Sequence, residues 1–392
     1  MLDRDEIEHF LQEHWQKKAC FLAGPLPAEL PQLSPDELAW LAMQPDVESR
    51  LVYTDRNGDD VRYRVEFGPF NESILVDLPP RDWTLLVQDV EKHLPEFRWY
   101  LSQVAFVPDW RIDDLMVSCA APGGSVGPHV DNYDVFLCQG SGVREWKTGD
   151  PNQVEADEKT EELSLVRPFP AAHSHRTEYG DVLYLPPGVP HWGVAVDLCT
   201  TYSIGCRAPT RRELALGQER ILDKLAGDAC NQDSLTFYTD ADLSSKEAGA
   251  GRIDVQTIHR IREQGLLVSS LTDVEVGRIV GSVATDPKAW LAAGALGGDE
   301  FIDAAVMNSN IQVHGMANIA WMEYEDHTFV FVNGVDRAID KEALALVKTL
   351  CTDRQLDLPA GALDRHRELM LWMSDEGLFD AAHIGESESL SP

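Results

Sequence analysis

The sequence predicts an α+β protein in which a β-rich region is followed by a mainly helical one. Between residues 51 and 207, short apolar runs alternate with turns containing Gly, Pro, Asn and Asp, which is typical of a β-barrel or sandwich. After Arg207, apolar residues recur at helical spacing. Asn333-Gly334 is a strong hairpin signal, because both central residues of such a turn need positive φ.

The elements are predicted in chain order from the apolar periodicity. An amphipathic helix capped by Asp3 opens the chain over residues 3–18, a short strand covers 19–22, and a second helix runs over 34–43. The strands predicted for the β-rich region are 51–53, 61–67, 116–120, 133–138, 182–185 and 201–206. The later predictions are helices at 212–225, 255–264, 341–350 and 362–373 and strands at 327–332 and 335–339. Helices with one hairpin fit a small winged-helix-like domain.

Acidic residues outnumber basic ones by two to one. The 392 residues include 66 Asp and Glu against 33 Lys and Arg, for a net charge of −33. Such a surface repels phosphate backbones, so we expect no direct nucleic-acid binding and favour a basic partner. Adaptation to salt would explain the same charge. Seven dispersed cysteines without a C-x-x-C pair, a charged N-terminus and no long apolar run predict a cytoplasmic protein without a membrane segment.

Two histidines and one aspartate form the first candidate metal site. His129 and Asp131 are two residues apart, and on a strand such residues share one face. The H-x-D pattern alone is weak, but a glycine-rich lead-in precedes it and an apolar strand follows. Gly123 and His129 also satisfy G-x5-H, the start of the first cupin signature.

His191 is the third candidate ligand. The stretch from Gly180 to His191 matches the second cupin signature, G-x5-P-x-G-x2-H, at each fixed position. A strand, a turn at 186–188 and a new strand would then place His191 inside the barrel. The alternatives are that His191 is an ordinary barrel histidine, or that His173 and His175 form a rival pair. We expect that pair to lie in a surface loop.

Two histidines and a carboxylate are the donor set typical of non-haem Fe(II) oxygenases. Such a site leaves coordination positions for the 2-oxo acid end of 2-oxoglutarate and for dioxygen. A cation must then bind the distal carboxylate. The turn Gly140-Ser-Gly142 precedes Arg144, which suits two parallel hydrogen bonds to a carboxylate. Lys147 is the rival, but it alternates to the opposite face; Arg144 could also be an exposed strand residue.

The residues resemble a known family. IDDLMVS at 112–118, PGGSVGPHVDNYDVFLCQGSG at 122–142 and YLPPGVPHWGVA at 184–195 are similar to the bacterial ribosomal-oxygenase branch of Jumonji-C proteins, as is FLQEHWQKKACFLAG at 10–24. The resemblance covers about residues 1–207. This chain departs from the cupin pattern at Ala195, where the signature has Asn, and in the insertion over 152–175, so the pattern does not define the residues at the rim of the site.

The resemblance implies a fold and a domain order. It implies a Jumonji-C double-stranded β-helix over 1–207, a helical dimerisation segment over 208–270, a winged-helix-like domain over 271–384 and a disordered tail over 385–392. A homodimer follows from it, with Leu214, Leu216, Ile221 and Leu225 as a possible shared stripe. A helix packed within one chain would explain that stripe equally well.

The resemblance also implies an activity. His129, Asp131 and His191 would bind Fe(II), and Ser118 and Arg144 would contact 2-oxoglutarate. The reaction would be β-hydroxylation of an arginine in large-subunit ribosomal protein sixteen. The alternatives are a histidine hydroxylase or demethylase acting on another basic protein, or a binding protein without catalysis. We expect Tyr133, Asp134 and the Glu-rich residues 155–162 to accompany the substrate guanidinium at the rim.

Overall fold

The computed structural model describes residues 2–57, 60–157, 165–221, 237–244, 249–265, 271–287, 310–357 and 365–379. Contacts divide the chain into two compact units. The first comprises 1–104, 112–207 and 241–245, and the second comprises 105–111, 208–240 and 246–392. None of the helices in the described ranges is long and apolar enough to cross a membrane.

The described residues of the first unit form five α-helices and eleven strands. The helices are α1 (Arg4–Glu13), α2 (Pro35–Ala42), α3 (Glu72–Val76), α4 (Val90–His93) and α5 (Arg98–Ser102). The strands are β1 (Cys20–Leu22), β2 (Ser49–Asn57), β3 (Asp60–Phe67), β4 (Trp83–Val87), β5 (Ile112–Ala120), β6 (Asp134–Gln139), β7 (Arg144–Thr148), β8 (His173–Thr177), β9 (Val182–Leu185), β10 (His191–Ala195) and β11 (Cys199–Cys206).

The strands of this unit form two antiparallel sheets. The larger has the order β1-β9-β6-β11-β5-β4-β2-β3, and the smaller has the order β10-β7-β8. A core lies between them, because Trp146 of the smaller sheet packs with Val135 and Leu137 of β6 and with Leu183 and Leu185 of β9. This core holds β7 and β10 at fixed positions facing the larger sheet.

The other face of the larger sheet is covered by α1. Asp3 and Glu6 form the capping box that starts this helix. Phe10 and the buried Trp15 pack on Phe136 and Tyr184, with ring centroids 4.8 to 6.3 Å apart. Because side chains alternate along a strand, Phe136 faces this helix while its neighbours in β6 face the core. The helix itself ends at Glu13, five residues before the predicted end at residue 18.

The second unit mixes helices with two small sheets. Its helices are α6 (Arg211–Ile221), α7 (Val255–Glu263), α8 (Asp273–Thr285), α9 (Lys341–Asp353) and α10 (Arg367–Asp375). Its strands are β12 (Arg252–Ile253), β13 (Asn310–Gln312), β14 (Ile319–Tyr324), β15 (His327–Val332), β16 (Val335–Ala338) and β17 (Gln355–Asp357), in the orders β12-β14-β15-β16 and β13-β17. The predicted Asn333-Gly334 turn is present, with φ of 46° and 88°.

The structure changes two predictions, the apolar stripe that includes Leu214 and the loop that carries His173 and His175. Leu214 lies in the core of the second unit with Ile258, Ile279 and Phe331, so it packs within the chain. Leu225 and the side chain of Ile221 lie outside the described residues. His173 and His175 lie in β8 and not in a loop. The sequence did not predict this strand, because β8 is an edge strand with mostly exposed residues and lacks the apolar alternation of a buried strand. Only its pairing with β7 defines it.

Candidate metal centre

His129 lies in an extended segment that joins the smaller sheet. Its backbone N–H donates to the carbonyl of His191 at 3.0 Å, and the N–H of His191 donates to the carbonyl of His129 at 2.9 Å. This is a single β-bridge, so the predicted regular strand through His129 and Asp131 is absent. Gly127, with φ of 86°, lets the segment pass Leu165 and Tyr63, which a Cβ would meet at 2.9 Å.

The structure brings the three predicted ligands together. One ligand atom from each of His129, Asp131 and His191 lies within 4.8 Å of the others. Nε2 of His191 is 3.4 Å from one carboxylate oxygen of Asp131, and Nε2 of His129 is 3.9 Å from the other. These distances leave room for an ion between the three donors.

Both imidazoles are oriented by backbone carbonyls. Nδ1 of His129 is 2.9 Å from the carbonyl of Gly127, and Nδ1 of His191 is 3.0 Å from that of Val189. With the proton on Nδ1, Nε2 is free as a metal donor. Burial, and after it His129, lowers the pKa of His191 to about 4, although Asp131 acts in the opposite direction. His191 is therefore neutral near pH 7, as a ligand must be.

Alternate residues of β7 are buried on the side of the strand that faces the larger sheet. Arg144, Trp146 and Thr148 are buried, whereas Glu145 and Lys147 are exposed. Nε and Nη2 of Arg144 are buried and have no hydrogen-bond partner among the described residues. An unpaired buried guanidinium is costly, and a carboxylate with two oxygens would complete it. Lys147 points away, as its register predicts.

Arg144 and the three candidate ligands lie on one face of the smaller sheet. Arg144 pairs with Ala195 in β10, four residues beyond His191. Four residues of strand cover about 13 Å. The Arg144 guanidinium carbon lies 5.6 Å from the centre of the Trp146 ring, and Trp146 lies between Arg144 and the residue that pairs with His191. A linear dicarboxylate would bridge the rest of the distance. The residues present therefore fit a metal ion with a 2-oxo dicarboxylic acid bound to it.

Comparison of the chain with known proteins shows which family has this site. The JmjC-domain profile matches residues 100–214, which include every residue of the candidate site. The ribosomal protein uL16 3-hydroxylase of Escherichia coli is 38% identical over 258 residues, which is 66% of this chain and 65% of that protein. A probable ribosomal oxygenase of Haemophilus influenzae is 34% identical over 276 residues, 68% of this chain and 65% of that protein. The matched stretch thus spans somewhat less than two thirds of each curated relative.

Solved structures match over a longer range. The X-ray structure of E. coli YcfD has a TM-score of 0.71 and 30% identity, and the match covers 97% of this chain and 98% of that one. YcfD, described as a ribosomal oxygenase, in complex with cobalt and 2-oxoglutarate has a TM-score of 0.67 and 31% identity, with 95% and 97% covered. The chain belongs to the JmjC ribosomal oxygenase family. Its first unit has the cupin-like JmjC fold of antiparallel sheets and helices.

Ser118, the second predicted 2-oxoglutarate contact, lies in β5, which pairs with β11. It is 2% exposed and pairs with Thr201. Burial, and after it Cys199, raises the pKa of the adjacent Cys119 thiol to about 12, while Arg144 lowers it. No direct contact between Ser118 and Arg144 is found in the described part of the chain.

Asp114 is a buried carboxylate near the candidate site that the sequence analysis did not predict. It lies in β5 on the same face as Met116 and Ser118, is 5% exposed and accepts a hydrogen bond from Gln88 at 2.9 Å. Burial, and after it Asp131, Asp114 and Asp113, raises the pKa of Tyr133. Asp114 thus shares the surroundings of Tyr133 with a candidate metal ligand. Counting alternate residues back from Ser118 would have found it.

Asp134, by contrast, does not accompany a substrate. It is fully buried on the α1 side of β6, where the Tyr184 hydroxyl donates to it at 2.6 Å and Gln16 Nε2 donates at 3.0 Å. The prediction that Asp134 lines the rim is therefore wrong, because alternation in β6 turns it away from the interior. Glu155 and Asp157 are described, whereas residues 158–162 of the predicted rim lie outside the described residues.

Proposed function

We propose that this protein is an Fe(II)- and 2-oxoglutarate-dependent hydroxylase of an arginine in a large-subunit ribosomal protein. One observation carries the proposal: three convergent metal donors and an unpaired buried guanidinium share one face of a JmjC barrel. His129, Asp131 and His191 would bind the metal. Arg144 would bind the distal carboxylate of 2-oxoglutarate, with Ser118 as a further contact.

The substrate class is supported by the relative and by the charges of the site. The E. coli relative is named a hydroxylase of ribosomal protein uL16. A guanidinium entering this interior needs anionic or aromatic partners in place of water. Asp114 with the Tyr133 ring would supply them, and Asp113 would add negative charge. We therefore propose arginine as the target residue and its β-carbon as the carbon that is hydroxylated.

Each group has one task in this reaction. Bound Fe(II), 2-oxoglutarate and dioxygen would together supply the oxidant for a C–H bond, with the 2-oxo acid converted to succinate and carbon dioxide. Arg144 orients the cosubstrate through its distal carboxylate. Asp114 and Tyr133 fix the guanidinium, so that one carbon of the substrate side chain faces the metal. The carbonyls of Gly127 and Val189 keep both Nε2 atoms directed inward.

The test uses the full chain with Fe(II), 2-oxoglutarate and a peptide from ribosomal protein uL16. We expect a product heavier by one oxygen atom, located on arginine by tandem mass spectrometry, with succinate formed in equal amount. His129→Ala, Asp131→Ala and His191→Ala should each abolish turnover without unfolding the protein. His173→Ala is the matched control, because it removes an exposed imidazole from β8.

The pattern of products separates the alternatives. Oxygen on a histidine would instead make the protein a histidine hydroxylase, and loss of a methyl group would make it a demethylase. A peptide with lysine in place of the target arginine should react poorly, because lysine lacks the planar donor array. Near-normal activity in any of the three alanine variants would show that the ligand assignment is wrong.

We further propose the domain order that the family resemblance implies. The chain would form a catalytic domain over 1–207, a helical dimerisation segment over 208–270 and a winged-helix-like domain over 271–384, with a tail over 385–392. It would act as a homodimer in the cytoplasm, where ribosomal proteins are made, without binding nucleic acid directly. The supporting features are the mixed helices and hairpin of the second unit and the acidity of the chain.

A further inference from the structure

Ser125 is a buried hydroxyl in the loop that leads to His129. It is 1% exposed and lies four residues before the histidine. Its Oγ accepts the backbone N–H of Gly127 at 3.0 Å and the indole N–H of Trp192 at 3.0 Å. Burial raises the pKa of the neighbouring Tyr63 hydroxyl, whereas the side chains of Ser125 and Trp192 lower it. Since two N–H donors occupy both lone pairs of Oγ, the Ser125 hydrogen is left to donate to another group.

This hydroxyl is connected to both histidines of the candidate metal site. The backbone N–H of Gly127 donates to Ser125, and the carbonyl of Gly127 accepts a hydrogen bond from Nδ1 of His129. Trp192, held through its indole by the same oxygen, directly follows His191 in β10. Backbone hydrogen bonds also join the two histidine segments, at the His129–His191 bridge and from the Gly188 N–H to the Asp131 carbonyl at 2.9 Å. Ser125 adds a side-chain connection to these.

Further contacts fix Ser125 itself. Its carbonyl accepts the Thr54 hydroxyl at 3.4 Å, and Tyr63 packs with Leu165 and Leu86 in a buried cluster. Thr54 and Tyr63 belong to β2 and β3, which thereby serve as the rigid support. A residue in such a network sets the direction of a ligand through hydrogen bonds that the ligand itself does not make.

We propose that Ser125 is a positioning residue that sets the mutual orientation of His129 and His191 for a divalent metal ion. The proposal rests on the metal-binding role proposed above. Removing the hydroxyl takes the acceptor at Ser125 away from the N–H groups of Gly127 and Trp192, so the loop has to shift. Because the shift is transmitted through the Gly127 carbonyl, it turns the imidazole of His129 away from its metal-binding direction.

The experiment compares Ser125→Ala with Ser49→Ala in the full, metal-free chain. Ser49 is a matched control, because it is 3% exposed and donates to the Ala42 carbonyl at 3.3 Å in the same unit. Titration with Co(II), followed by its visible absorption, should show a dissociation constant raised about 10- to 100-fold in Ser125→Ala. The intensity of the Co(II) bands should change as well. Ser49→Ala should lower thermal stability but keep the wild-type affinity and spectrum.

Trp192→Phe provides a second test if Ser125→Ala fails to fold. It removes one donor to Ser125 and should weaken Co(II) binding by a smaller factor than Ser125→Ala. Wild-type Co(II) affinity and spectrum in Ser125→Ala, or in Trp192→Phe where the first variant is unfolded, would overturn the positioning role. Failure of the wild-type chain itself to bind Co(II) would overturn the proposed function as well, and it is recognised without any variant.

Discussion

Arg144 carries an unusual cost for a single residue. The residue is 5% exposed, and two of its guanidinium nitrogens have no hydrogen-bond partner among the described residues. A buried charge without a partner destabilises a fold, and replacing it with an apolar side chain of similar volume often stabilises it. This loss of stability is explained if the guanidinium binds a ligand that carries a negative charge.

Arg144→Met should therefore have opposite effects on stability and on cosubstrate binding. Without 2-oxoglutarate, the melting temperature should rise or stay unchanged. The 2-oxoglutarate requirement should rise at least about 30-fold, which corresponds to roughly 2 kcal/mol for a lost buried charge pair. Thermal melts and titration of succinate formation measure the two effects, with the exposed Lys147→Met as the control. A lower melting temperature with an unchanged requirement would show that Arg144 is structural.

The residues that could be predicted from sequence are those fixed by local spacing. His129, Asp131 and His191 followed from two short motifs, and Arg144 followed from the turn before β7. Asp114 and Ser125 did not, because their surroundings come from elements far away in the chain. Ser125 depends on Tyr63 and Trp192, which no local pattern connects to it.

At the scale of elements, β5 is held by a buried carboxylate. Glu91 in α4 is 2% exposed, and its Oε2 accepts the backbone N–H of Leu115 at 2.9 Å. Burial is the main cause that raises the pKa of Glu91, with Asp89 adding to it, whereas Lys92 and the Leu115 N–H lower it. Leu115 lies between Asp114 and Met116, so this contact supports the strand that lines the proposed substrate site.

The raised pKa of Glu91 gives a prediction with a definite sign. A carboxyl whose pKa is higher in the folded chain contributes stability that is fully present below its unfolded pKa and is lost as pH rises through its folded pKa. Glu91→Gln keeps an acceptor for Leu115 but cannot ionise. The variant should melt at a higher temperature than the wild type at pH 7, and the two should converge near pH 4. Melts of metal-free protein across this range test it; a variant that is less stable throughout would refute it.

Element boundaries were predicted best where periodicity was strong. The strand 182–185 and the strand 327–332 were found at their bounds, because both are short apolar runs closed by turns. β8 was missed, since its residues are polar and exposed and its identity as a strand comes only from β7. The extended segment of His129 was predicted as a strand, but it forms isolated bridges to Leu165 and His191 and not a full ladder.

For the whole molecule, the first prediction concerns assembly. The resemblance assigns dimerisation to the region that contains α6, where Leu214 is buried within the chain but Leu216 is 43% exposed. We expect light scattering to give a homodimer of the 43.7 kDa chain. Leu216→Glu should weaken the dimer, whereas Val335→Glu, at a residue of similar exposure, should not. A monomer at micromolar concentration in the wild-type protein would refute the dimer.

The net charge of −33 bears on how the proposed ribosomal-protein substrate is captured. A basic ribosomal protein approaching such a surface is attracted over a distance comparable to the Debye length, about 30 Å at 0.01 M salt and 8 Å at 0.15 M. Charge steering of this kind raises association rates by about 10-fold or more. The kcat/KM for an intact basic ribosomal protein should therefore fall by at least that factor from low to physiological salt. A short peptide with the same arginine but no net charge should change far less, because it does not sense the long-range field. If both substrates respond equally, or the rate rises with salt, the acidic surface serves solubility and not capture.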